Sequence, residues 1–166
     1  MTMQPAYFIG LMSGTSMDGV DAVLASFDGT HWLGAHAHAF VAYEDALKQS
    51  LLALQNPDTD ELARAALLSQ DLAKINARAV ADVLAKQPDA ATQVLALGCH
   101  GQTIRHAPEH HYSIQLMDWA LLAELTGITT IGDFRSVIWL LEDKAPLWFQ
   151  LSIKPSLPTP PPHECY

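Results

Sequence analysis

The sequence predicts an α/β fold in which a mixed sheet carries packed helices. Three observations predict it. The chain opens with strand-forming stretches joined by tight turns, the pattern of an antiparallel run. A long central stretch carries apolar residues at spacings of three and four, the period of one helix face. Short strands and helices then alternate, which favours a layered arrangement with parallel strands later in the sheet.

Ala6 to Met12 is rich in strand formers and breaks at Ser13 to Gly19, SGTSMDG, where glycine and small polar residues make a turn. Val20 to Phe27 is the second strand. Asp28-Gly29-Thr30 suits a primed hairpin turn, leading to a third strand over Trp32 to Val41. A helix over Tyr43 to Leu54 ends near Asn56-Pro57. Asp58 and Glu61 read as a capping box for the long helix that follows. On it, Leu62, Ala65, Leu68, Leu72, Ile75, Ala79 and Val83 share one face, and Pro88 closes it. Thr92 to Leu97 is a short strand running into a polar loop, Gly98 to Ile104. Tyr112 to Leu116 is a strand, and Met117 to Leu125 is a helix with Gly127 as its C-cap signal. Ile128 to Gly132 is a last strand, ending at Asp133. From Leu151 on, Pro155, Pro158, Pro160, Pro161 and Pro162 remove backbone donors and lock φ. The reading is therefore one domain over 1–150 and a disordered proline-rich tail over 151–166.

Composition narrows the function classes. Hydrophobic residues make up 49% and charged ones 16%, as in a globular protein. The net charge of -9 argues against nucleic acid as a partner, since phosphate backbones are drawn to clustered Lys and Arg. It leaves a nucleotide ligand open, because backbone N–H groups hold phosphates without net positive charge. The two cysteines, Cys99 and Cys165, form no disulfide framework or metal motif. MTMQPAYFIG lacks the basic start and apolar core of a secretory signal, and no apolar run is long enough to span a bilayer. A soluble cytoplasmic protein without a membrane partner is expected.

Three segments could carry chemistry. Ser13, Gly14, Thr15, Ser16, Asp18, Gly19 and Asp21 sit between the first two predicted strands. Glycine allows close backbone approach, hydroxyls donate to phosphate oxygens, and a carboxylate beside phosphate calls for a divalent cation between them. The combination suggests Mg-nucleotide chemistry; an ordinary tight hairpin uses the same residue types. It is not a Walker A loop, as no Gly-Lys-Ser/Thr follows. His100, Gln102 and Thr103 follow a predicted strand, at the edge where open α/β sheets place ligands, though they equally suit a polar loop that caps a helix. His106, His110 and His111 suggest a metal only loosely. Asp133 and Arg135 could bind a sugar hydroxyl and an acidic substituent, or could simply pair with each other.

Taken together, GLMSGTSMDGVDAVL (Gly10 to Leu24), GCHGQTIRHAP (Gly98 to Pro108) and LLAELTGITTIGDFRS (Leu121 to Ser136) resemble the anhydro-N-acetylmuramic acid kinase family, in order and separation. The resemblance implies a ribonuclease H-like fold of the actin, sugar kinase and Hsp70 type. It implies an ATP- and Mg2+-dependent kinase that opens the 1,6-anhydro ring of anhydro-N-acetylmuramic acid with water. The freed 6-hydroxyl is then phosphorylated, in peptidoglycan recycling. By that likeness Gly14, Thr15, Ser16, Met17, Asp18, Gly19, Val20 and Asp21 form the ATP phosphate loop, with Asp18 and Asp21 towards the metal. His100, Gln102, Thr103, Asp133 and Arg135 lie near the amino sugar.

The likeness departs after Arg135. Ile138 stands near the family's usual Asp, Glu142 and Asp143 near its glycine pair, and the spacing to Ala145-Pro146-Leu147 is one residue short. The family's catalytic base belongs to a later Asp-Thr-Gly-Pro-Gly block, which this sequence does not contain. The expectation is an incomplete, amino-terminal part of such a kinase that is inactive alone, with no catalytic base of its own. The alternative is a non-catalytic nucleotide-binding or partner-binding module; a homo-oligomer is left open.

Overall fold

The computed structural model describes residues 5–136. The tail expected over 151–166, and the end of the domain expected over 1–150, lie outside the described residues.

The main sheet has five strands in the order β3-β2-β1-β4-β7. β1 (Ala6–Met12), β2 (Gly19–Asp28) and β3 (His31–Ala42) form an antiparallel meander. β4 (Val94–Cys99) then joins the free edge of β1 in parallel, and β7 (Thr130–Ile131) joins β4 in parallel. This is the mixed α/β sheet expected, with its antiparallel start and parallel finish. The hairpin between β2 and β3 turns on Gly29 and Thr30, and only Gly29 has positive φ, 59°. That is the primed turn with glycine in the first central place.

α1 (Asp45–Ala53) and α2 (Glu61–Ala85) follow the meander. After them come a short helix α3 (Pro88–Ala91), the two-stranded sheet of β5 (Gln102–Ala107) and β6 (Tyr112–Leu116), and α4 (Trp119–Thr126). One face of the main sheet buries Ile9, Leu11, Val20, Ala22 and Leu24 in a core shared with Leu72, Ala79 and Val83 of α2 and Leu122 of α4. Asn76 is buried among them, its amide donating to Leu72 O at 2.8 Å.

Several expectations are corrected. Asp58 and Glu61 form no capping box. The N-cap of α2 is Asp60, in the left-handed region at φ 55°, with no side-chain cap. Asp58 instead accepts from Thr59 N and Arg64 Nη1, and Glu61 accepts from Arg105 Nη2 at 2.7 Å. The helical face is right from Ala65 onward, with Ala65 and Leu68 half-buried against the core, but Leu62 is 88% exposed. The first turn of α2 extends beyond the packed layer, which periodicity cannot reveal. Pro88 starts α3 rather than ending α2, which stops at Ala85. Gly98 to Ile104 is not one loop. Gly98 and Cys99 complete β4, Gln102 begins β5, and only His100 and Gly101 connect them. The strand expected over Ile128 to Gly132 is reduced to Thr130–Ile131. α4 is capped as expected at its end by Gly127 (φ 67°), and at its start by Asp118, which accepts from Leu121 N.

Candidate functional site

β1, β4 and β7 lie side by side and run in parallel, so their carboxyl ends open on one edge of the sheet. Each ends in one of the polar segments singled out in the sequence. Ser13 to Asp18 follows β1, His100-Gly101 follows β4, and Gly132 to Arg135 follows β7. The crevice outside such ends is where α/β sheets bind ligands.

The first segment is a tight turn closed by Met17 N donating to Gly14 O at 3.2 Å. Met17 has φ 54° yet is wholly buried, so its side chain anchors a left-handed backbone that a bulky residue seldom adopts. Gly14, Thr15, Ser16 and Asp18 consequently stand on the surface. Gly19 and Val20 are buried. A Cβ at Gly19 would run into Val41 O and the Phe40 ring, so the loop enters β2 through a space only glycine fits. Asp18 accepts from Lys48 Nζ of α1 at 2.8 Å. The bond from Lys48, a second from Ser16 and the Lys48 charge hold its carboxyl below the usual carboxylate value.

The second segment is tied to the first. Ser13 Oγ donates to Gly101 O at 3.1 Å, His100 N to Leu11 O at 3.1 Å, and Gln102 Nε2 to Gly14 O at 3.2 Å. Gln102 is wholly buried, so its amide braces the turn from beneath rather than facing solvent. Its Oε1 has no hydrogen-bond partner among the described residues, and the buried Tyr43 hydroxyl meets no polar group there closely enough to bond except the neighbouring Ser13 side chain. His100 Nδ1 lies 3.0 Å from Gly101 O, which can only accept, while Arg135 Nε, which can only donate, lies 3.3 Å from Nε2. The two contacts together require the neutral ring with its proton on Nδ1.

The third segment resolves an alternative left open by the residues alone. Asp133, at φ 58°, accepts from Ser136 Oγ at 2.6 Å, while Arg135 turns to His100, so the two do not pair with each other. Thr103 lies on β5 and accepts from Gln115 Nε2 at 3.2 Å. Asp21 is the third residue of β2, on the sheet face opposite α2, and contacts His38 Nε2 of β3 at 2.8 Å. Asp18 and Asp21 thus engage different partners. Among the described residues no three His, Cys, Asp or Glu side chains are grouped to hold a metal, His106, His110 and His111 included. Among the described residues no helix is long and apolar enough to cross a membrane. Lys48, His38 and Tyr43 escape a reading of the sequence because they sit on elements without motifs and reach the site only through packing.

The geometry matches what comparison with known proteins finds. Residues 6–141 match the family described as Anhydro-N-acetylmuramic acid kinase, a range that contains all three segments. A protein of that name from Neisseria meningitidis serogroup C is 58% identical over 134 residues, covering 81% of this chain and 37% of the relative. One from Chromobacterium violaceum is 50% identical over 129 residues, 78% of this chain and 35% of the relative. One from Nitrosomonas europaea is 48% identical over 132 residues, 78% of this chain and 36% of the relative. The chain therefore spans little more than a third of the length of these relatives. With the sheet order, the three strand-end segments and this likeness in agreement, the chain belongs to the anhydro-N-acetylmuramic acid kinase family.

Proposed function

We propose that this chain builds the phosphate-loop wall, and part of the sugar wall, of an ATP- and Mg2+-dependent anhydro-N-acetylmuramic acid kinase acting in the cytoplasm. The observation that carries the reading is the convergence of Ser13 to Asp18, His100-Gly101 and Gly132 to Arg135 at the carboxyl ends of three adjacent parallel strands. The residues suit a Mg-nucleotide. Exposed Thr15 and Ser16 offer hydroxyl donors beside a glycine-bearing turn, and the ionised Asp18 would face phosphate only across a cation. Bound Mg2+ would supply charge neutralisation on the transferring phosphoryl group. In this reading Asp18 and Asp21 serve the metal side, and Lys48 holds Asp18 ionised and oriented. On the sugar side, Arg135 is oriented by His100 and offers its remaining guanidinium donors to an acidic substituent, with Asp133 and Thr103 accepting from hydroxyls. Gln102 and Ser13 keep the two walls in register through Gly14 and Gly101.

Ring opening also needs a base positioned on water, and errors of about 1 Å cost on the order of a hundredfold. The likeness assigns that base to a block this sequence lacks, so the chain alone is expected not to turn over. The test incubates the purified chain with Mg-ATP and the anhydro-sugar and follows phosphorylated sugar by mass. A second arm joins residues 1–136 to the remaining sequence of the Neisseria relative. No product from the first arm and product from the second, lost with Asp18→Asn, supports the reading. Turnover of about one per second by the chain alone would overturn it.

A further inference from the structure

Lys48 lies far from the first loop in sequence but is tied to it in space. Its Nζ donates to Asp18 Oδ1 at 2.8 Å. Among the described residues no other Lys or Arg bonds to Ser13 to Asp18. Arg135, beyond the end of β7, turns to His100 instead. Glu44 and Asp45 stand four and three residues before Lys48, at the spacings that pair along one helix, yet its ammonium reaches across to the loop. Two contacts fix the backbone that carries it. Tyr43 N donates to Asp18 O at 3.0 Å just ahead of α1, and Leu51, one turn on, is wholly buried. The Lys48 side chain itself is 35% exposed, and that of Asp18 is 63% exposed. The ammonium therefore sits at the surface of the loop on a flexible stem whose base is held in place.

Charge decides where that ammonium goes when the loop is filled. A Mg-nucleotide keeps a net negative charge. From its own residues the loop offers only the Asp18 carboxylate and the neutral hydroxyls of Thr15 and Ser16, so Lys48 is the countercharge at hand. Mg2+ takes oxygen ligands and competes with Lys48 for the Asp18 carboxylate. A divalent charge there repels the ammonium more strongly than the single carboxylate charge attracts it. Ser16 also bonds to Asp18, so two donors already converge on one anionic group. A phosphate oxygen is the same kind of acceptor, and a compact ammonium on a flexible stem is a common partner for it.

We propose that Lys48 is itself a nucleotide-binding residue: with a Mg-nucleotide in the loop, its ammonium leaves Asp18 for a phosphate oxygen, and Asp18 turns to the cation. The proposal rests on the Mg-nucleotide reading of the loop and adds to it a residue from α1. Lys48 then has two successive partners, the carboxylate of the empty loop and the phosphate of the filled one. The test titrates the nitrogen-15-labelled full chain with Mg-ATP and follows the backbone amides of Gly14 to Gly19. The same spectra report whether each variant is folded. Lys48→Met should weaken binding about tenfold, the loss of one charge-assisted contact, while Lys48→Arg should keep most of the affinity. A second pair separates this contact from the hold on Asp18. Asp18→Asn, alone and combined with Lys48→Met, is titrated with metal-free ATP, which needs no ligand for a cation. Lys48→Met should again weaken binding about tenfold, because the phosphate contact does not pass through Asp18. Equal affinities in that pair, or no saturable shift with Asp18→Asn alone, would show that Lys48 acts only by holding Asp18. Either result overturns the proposal and leaves the Mg-nucleotide reading standing. No saturable shift of the unmodified chain with Mg-ATP would overturn both.

Discussion

At the scale of single residues, two local environments make measurable statements. Asp18 is exposed and its carboxyl is lowered, first by the hydrogen bond from Lys48. Lys48→Met should therefore move the Asp18 titration up towards the ordinary carboxylate value, read by carbon-13 NMR of the side-chain carboxyl. An unmoved midpoint would remove Lys48 from the account of the loop. Tyr43 and Cys99 behave in the opposite sense, because burial favours their neutral forms. The phenol is pushed up from 10.0 to about 12, chiefly by desolvation. The thiol is pushed up from 9.0 to about 11 for the same reason. Between those values the unfolded chain has lost protons that the folded chain keeps, so stability is complete below the unfolded values and falls as pH rises. The full loss is on the order of 2–3 kcal/mol per group. Tyr43→Phe should cost about 1 kcal/mol or less at neutral pH, since its hydroxyl meets at most Ser13 among the described residues, and should flatten the alkaline loss between 10.0 and about 12. Denaturant unfolding of both proteins at neutral pH and within that window checks it.

At the scale of elements, α2 separates what periodicity says from what packing does. Leu62 and Leu72 lie on the same predicted stripe, yet Leu72 is wholly buried and Leu62 is 88% exposed. Leu72→Ala should cost about 2–5 kcal/mol through lost transfer energy and a cavity. Leu62→Ala should stay within about 0.5 kcal/mol, as away from packed features. Equal costs in chemical unfolding would mean that the first turn of α2 is packed after all. The junction of the first loop with β2 is equally specific. Gly19→Ala forces its Cβ against Val41 O, which belongs to the paired strand and cannot rotate away. A loss of about 1–3 kcal/mol is expected, and a neutral result in thermal unfolding would show that β3 yields there.

For the whole molecule, the order β3-β2-β1-β4-β7 places β2, β1 and β4 inside the sheet and leaves β5 and β6 as a separate pair. Amide exchange should therefore be slowest at Ile9, Leu11 and Leu97, whose strands are paired on both sides, and faster across Gln102–Ala107. Comparable protection of the two sheets would contradict that division. Much of this was legible beforehand. Ala6–Met12 and Tyr112–Leu116 were readable because strand formers there are bounded by turn residues, and the β2–β3 hairpin because Gly29 supplies the positive φ its turn needs. The loop at Ser13 to Asp18 was legible as a candidate because its glycines and hydroxyls are contiguous. The start of α2 was not, because Asp58 and Glu61 found stronger distant partners in Arg64 and Arg105 than the local cap they resemble. The chain's own sequence determined its elements, its family and the three polar segments, since these depend on local composition and on contiguous motifs. Only the tertiary structure decided that those segments meet, that Gln102 is a buried brace, that Arg135 turns to His100 rather than Asp133, and that Lys48 holds Asp18. Such pairings join residues far apart in the chain, and they are set by sheet order and side-chain packing, which no local pattern encodes.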